Sequence, residues 1–196
     1  MPILPLRHHP LFVAGRRMFM TRSSLVLSGT AIALLAGCEG IAAQGKKPGA
    51  ESAADDVTIL NGALAAEQQG IAAYQVGAES GLLQKPVLDL AIQFQGHHKA
   101  HADLLAATIK QLGGAPVAAR QKYDFPVDQL KSQADVLRFA AGLEQGAVSA
   151  YLSAVPRLEN RDLAKAAASI LGDEAMHWAV LRQALGDNPV PAAFVG

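Results

Sequence analysis

One cysteine, Cys38, occurs in 196 residues. That excludes an intrachain disulfide and any zinc site built from cysteines. Aromatic residues are scarce, at 5%, and runs of β-branched residues are few. Neither charge dominates: 17 basic residues face 17 acidic ones, without the basic excess that marks a nucleic-acid partner. No glycine-rich phosphate loop, nucleophile elbow or dinucleotide fingerprint is present. What the chain has in plenty is alanine and leucine, within a hydrophobic share of 51%. Such a composition favours helix over sheet. The length suits one domain with a leader, and is too short for two domains of ordinary size.

The charge is unevenly spread. Residues 1–37 carry Arg7, Arg16, Arg17 and Arg22 and no acid, which leaves 13 basic against 17 acidic residues in the rest. Arg16-Arg17-Met18-Phe19 is followed by an apolar stretch, Ser24 to Ala36. That stretch is shorter than the roughly 20 residues a permanent membrane helix needs, and it reads as a signal sequence. The arginine pair resembles a twin-arginine signal, with Gly15 where that pattern has Ser or Thr; Sec export is the plainer route. Leu35-Ala36-Gly37-Cys38 resembles the lipobox of bacterial lipoproteins, which implies lipidation at Cys38. Ordinary signal cleavage, for instance after Ala43, is the alternative. The expected location is outside the cytoplasm, with a lipid anchor holding the chain to a membrane and facing the periplasm or cell exterior. Residues 38–52, rich in Gly, Ala, Lys and Pro, read as a flexible tether.

Beyond the tether, 53–187 divides into four stretches of 3.6-residue periodicity, before an irregular tail at 188–196. The first spans about Ser52 to Ser80, with Ser52 and Asp55 as a capping pair. The second spans Pro86 to Leu112, ahead of Gly113-Gly114. The third runs from Ser132 to Val155 and the fourth from Asn160 to Leu185, with Gly186 as its stop. A long connection containing Pro116 and Pro126 separates the second from the third. The fold expected is all-α: a four-helix bundle of two helix pairs joined by a central crossover.

Each helix should bury one apolar stripe, and each stripe is interrupted near its middle. Glu67 breaks the first, His98 and His101 the second, Glu144 the third, and Glu174 and His177 the fourth. A buried carboxylate costs several kcal/mol unless it is paired or bound to a cation. Three in one layer would also repel each other, and a cation among them resolves both problems. Of the six histidines only His8 and His9 lie in the leader; His97, His98, His101 and His177 all fall in this layer. His97 sits one residue off the stripe, as a surface residue or one that backs a ligand. Tyr74 and Tyr151 follow Glu67 and Glu144 by seven residues, either supporting the carboxylates or packing as ordinary core tyrosines. Trp178 reads as packing.

The two halves repeat. Glu67-Gln-Gln-Gly-Ile-Ala-Ala-Tyr74 parallels Glu144-Gln-Gly-Ala-Val-Ser-Ala-Tyr151, and Gly96-His-His-Lys-Ala-His101 parallels Gly172-Asp-Glu-Ala-Met-His177. These motifs resemble the exported ferritin-like family. Its di-metal members set one Glu on each of two helices and Glu-x-x-His on the other two. The resemblance implies that Glu67 and Glu144 fill the single-Glu positions and that Glu174 and His177 form one Glu-x-x-His. His98 stands where the other Glu is expected, with His101 as its His. Pairing Gln95 with His98 is the shifted alternative, and the repeat favours His98 with His101. The expected metal set is therefore Glu67, His98, His101, Glu144, Glu174 and His177. Donors of this kind suit a divalent metal, iron or manganese foremost, as one ion or two.

Three functions follow as expectations. The first is a metal-binding envelope protein. The second is a di-metal oxidoreductase of ferroxidase or peroxide-handling type, with catalytic residues unassigned. The third is a metal-free structural or stress-related module whose Glu/His layer is a hydrogen-bonded network. The membrane is the expected partner; nucleic acid is not, and a homo-oligomer is allowed.

Overall fold

The computed structural model describes residues 50–195. The twin-arginine-like leader, Cys38 and nearly all of the expected tether lie outside the described residues. Four helices make up the rest: α1 (Ala50–Glu79), α2 (Lys85–Gln111), α3 (Gln133–Ala154) and α4 (Arg161–Leu185). Short 3-10 turns at Val127–Gln129 and Val155–Arg157 flank α3. Among the described residues, no helix is long and apolar enough to cross a membrane.

The helix ends follow local chemistry. Pro86 sits in the first turn of α2, where its missing N–H costs nothing. Ser132 caps α3: its hydroxyl accepts from the Asp135 N–H, and the Asp135 carboxylate accepts in return from the Ser132 hydroxyl and the Lys131 N–H. Asn160 caps α4 by accepting from the N–H groups of Asp162 and Leu163. Gly186 closes α4 at a φ of 81°, a left-handed value that favours glycine. The first helix does not start at Ser52. The described part of α1 already opens at Ala50, so Ser52 and Asp55 lie within the helix and residues 50–52 belong to it rather than to the tether.

Helices pack as two pairs, α1 with α2 and α3 with α4, and α1 meets α3 between them. The crossover, residues 112–132, straps along α1. Asn61 donates to the Ala115 carbonyl at 3.1 Å and accepts from the Val117 N–H at 2.7 Å, while Gln68 donates to the Val117 carbonyl at 3.0 Å. The strap lies so close that a Cβ on Gly114 would come within 2.6 Å of Val57 Cγ1. Asp56, 1% exposed, ties α1 to the start of α4 by accepting from the N–H groups of Glu159 and Asn160.

Two apolar clusters fill the interior. One gathers Leu60, Leu64, Leu105, Ile109, Leu163 and Ile170; the other gathers Tyr74, Phe94, Leu137 and Leu181. Burying each such side chain contributes about 1.5–3 kcal/mol. Every helix crosses from one cluster to the other, and the polar interruptions of the four stripes meet in the gap between them. Trp178 packs at the edge of the second cluster with the Arg182 guanidinium over its ring.

Candidate metal centre

The packing brings all six expected residues into that one layer. Glu144 and Glu174 are 0% exposed, and Glu67, His98 and His177 are buried almost as fully. Their donor atoms form two overlapping sets. Glu67, His98, His101 and Glu174 make the first, and His98, Glu144, Glu174 and His177 the second. His98 and Glu174 belong to both, so the layer has the outline of two adjoining positions with a shared side. His98 Nδ1 lies 2.7 Å from Glu67 Oε2, and its Nε2 lies 3.3 Å from Glu144 Oε1. His101 Nδ1 is 3.1 Å from Glu174 Oε1, and His177 Nδ1 is 3.5 Å from both Glu144 Oε1 and Glu174 Oε2.

The tyrosines bond crosswise. Tyr151 of the second pair donates to Glu67 of the first at 2.6 Å, and Tyr74 of the first donates to Glu144 of the second. Seven-residue spacing put each tyrosine near its own glutamate, and the packing gives it the other one. Gln95 turns away from the layer. Its amide donates to the Ile71 carbonyl and Gln75, and its oxygen accepts from Lys99, which leaves His98 and His101 as the pair facing the cluster. His97 lies at the rim, where its Nδ1 meets His177 Nε2 at 2.8 Å and Asp173 Oδ2 at 3.2 Å. Asp173, which the stripe did not single out, also lies 3.3 Å from the Nε2 atoms of His101 and His177. Its signal was present in the repeat, where it parallels His97.

Without a cation the layer is an array of imidazolium and carboxylate groups. Burial opposes charge on each ring, and the carboxylates outweigh it. Glu144 and Glu67 hold His98 up at about 9. Asp173 leads in raising both His101 and His177 to about 11. Burial likewise pushes Glu67 and Glu144 upward, and the neighbouring imidazoles bring both below the ordinary 4.5. Burial beside a carboxylate keeps Tyr74 and Tyr151 well above 10, so both phenols hold their protons and donate.

Hydrogen bonding does not use up the donors. His101 Nδ1, His177 Nδ1, Glu144 Oε2 and both Glu174 oxygens are buried without a hydrogen-bond partner. Native interiors leave few polar groups in that condition, and each one calls for an explanation such as an ion. These atoms belong to residues of the two overlapping donor sets, and their nitrogen and carboxylate character fits a divalent cation. The cluster is thus capable of holding a metal. A cleft of about 270 Å³ between α1 and α3 leads to it. His98 and Glu144 stand in its lining beside the small residues Ala66, Gly70 and Ala147.

A helical bundle with glutamates and histidines converging in its core is, as a class, a ferritin-like bundle with a cluster capable of holding a metal. The chain belongs to the ferritin-like domain family, whose pattern matches residues 55–187. In structure it is similar to a conserved hypothetical protein from Mycobacterium tuberculosis, with 26% identity and a TM-score of 0.64, over 73% of this chain and 99% of that one. It is also similar to a protein from Bacillus anthracis described as ferritin like and diiron-carboxylate, with 21% identity and a TM-score of 0.60, over 68% of this chain and 97% of that one. No curated protein matches the chain in sequence.

Proposed function

We propose that the chain is an exported, lipid-anchored ferritin-like protein that holds a divalent cation, iron or manganese, in its Glu/His core. The observation that carries the metal is the set of buried donor atoms with no hydrogen-bond partner, on Glu144, Glu174, His101 and His177. Export and anchoring rest on the Arg16-Arg17 leader and on Leu35-Ala36-Gly37-Cys38. The domain would then face the periplasm or cell exterior, with lipid on Cys38 as its tie to the membrane.

His98 bears on how many ions are held. A neutral imidazole has one N–H and one lone pair. With Nδ1–H given to Glu67 at 2.7 Å, the lone pair is on Nε2, which faces Glu144 Oε1 at 3.3 Å in the set that also holds Glu174 and His177. That second set is complete, with two nitrogens and two carboxylates. The first set keeps Glu67, His101 and a share of Glu174, and lacks the bridging carboxylate a glutamate at position 98 would supply. One ion in the second set is the favoured filling. Iron or manganese there would supply one-electron redox chemistry.

Metal analysis of the full chain, purified without chelator, is expected to find about one equivalent. Glu174→Gln and His177→Ala should each lower that content and remove the rise in melting temperature that added metal produces. A double variant with full occupancy would overturn the site. The diiron description of the Bacillus anthracis protein favours a second reading, a di-metal oxidoreductase, and about two equivalents would support it. No metal and no thermal shift would leave the structural module. For the anchor, Cys38→Ala should abolish incorporation of labelled palmitate and free the chain from the membrane fraction; unchanged labelling would sink the anchor.

A further inference from the structure

We propose that His97, Asp173 and His177 form a second, outward-facing, four-coordinate site for a divalent cation, and that this rim site loads the core. The inference rests on the core reading for its role, though not for its existence. The three donors are His97 Nδ1, Asp173 Oδ2 and His177 Nε2, and they lie close enough together to share one ion. Their mutual separations are 2.8, 3.2 and 3.3 Å. Tetrahedral zinc with bonds of about 2.0–2.1 Å to nitrogen and oxygen spaces its donors by about 3.3 Å. Three vertices of such a polyhedron are therefore in place.

Exposure gives the fourth vertex to solvent. The His97 and Asp173 side chains are 37% and 24% exposed, whereas Glu67, Glu144 and Glu174 are buried. Stacking holds the rings in this pose. Phe94 lies against His177 at a centroid distance of 4.0 Å, and His97 lies against His177 at 5.0 Å.

The two sites share the His177 ring. Its Nε2 faces the rim, and its Nδ1 faces the core without a partner. A neutral ring has one lone pair, so it serves one cation at a time. With the cation at the rim, Nδ1 keeps the proton. When the cation moves inward, that proton ends on Nε2, where the Asp173 carboxylate accepts its hydrogen bond. No electron moves, and the ring neither gains nor loses a proton overall. Rim and core thus exclude each other at His177, as a loading station and its destination should.

The test uses the full chain, stripped with chelator, and cobalt(II) as the probe, read by equilibrium dialysis and visible absorption. Glu144→Gln removes a core carboxylate at constant size. That variant should still bind cobalt with intense four-coordinate bands, and adding His97→Ala should weaken this binding at least about tenfold. Asp173→Asn, which keeps the side-chain shape, should do the same. In the chain with Glu144 intact, His97→Ala should slow cobalt loading about tenfold. The rim site is overturned if Glu144→Gln binds no cobalt while the parent does, or if His97→Ala changes neither binding nor rate. Cobalt that depends on His97 and is indifferent to Glu144, Glu174 and His98 would keep the rim and overturn the core. No binding in any variant overturns both.

Discussion

At the scale of single residues, the decisive choice is His98. It brings no negative charge to the centre, and it satisfies Glu67 through one nitrogen while turning the other to Glu144. The tyrosines work with it, since their protonated phenols donate to Glu67 and Glu144. Tyr151→Phe would leave Glu67 Oε1 buried with no donor, at a cost of about 1–3 kcal/mol. Denaturant unfolding of the metal-free chain should show that loss, and an unchanged midpoint would mean that water replaces the phenol. The charges also set a pH profile. His98, His101 and His177 hold protons more tightly when folded than the ordinary 6.5, so their stabilisation is complete below about 6.5 and fades as pH climbs through 9 to 11. Glu67 and Glu144 are lowered from 4.5, so their share is present above about 4.5 and fades in acid. The metal-free chain should melt highest between pH 4.5 and 6.5. A cation displaces those imidazole protons, so its affinity should rise with pH and carry the optimum upward. Thermal melts across pH with and without manganese would check both, and a flat metal-free profile would contradict the charged layer.

At the scale of elements, two helix glycines should respond in opposite ways. A Cβ on Gly70 would come within 3.1–3.3 Å of the His98 ring, which its carboxylate partners hold in place, whereas a Cβ on Gly146 would meet nothing within 4 Å. Gly146→Ala should stabilise α3 by about 0.5–1 kcal/mol. Gly70→Ala should displace His98 and lower metal content, and a Gly70→Ala chain with parental occupancy and stability would refute this. Much of the architecture was legible in the stripes, because Leu60, Leu64, Phe94, Leu137, Leu163 and Leu181 recur at helical spacing and all are buried. The starts of α3 at Ser132 and α4 at Asn160 were legible too, since the bonds that cap them reach only two or three residues. Asp56 was not, for its partners Glu159 and Asn160 lie more than a hundred residues away. Asp173 and the crosswise tyrosines escaped for the same reason: periodicity assigns a face, and only the register between helix pairs decides what that face meets.

At the scale of the whole molecule, the crossover is a strap over a core that both pairs complete. Arg120 and Lys122 are exposed within it, so limited trypsin treatment should cut the helical domain there. The nicked halves should elute together and keep their metal, while their melting temperature becomes dependent on concentration. Separation of the halves without denaturant would show that the strap, and not the shared layer, holds the pairs. The crosswise tyrosines carry a further meaning in the language of symmetry. Residue i of one half meets residue j of the other, and j meets i, which is the signature of a two-fold, isologous contact. A single helix hairpin bearing one Glu and one Tyr in this register would satisfy both bonds by pairing with its own copy. The chain is built as a homodimer of such hairpins would be, with Glu-x-x-His in its second half alone.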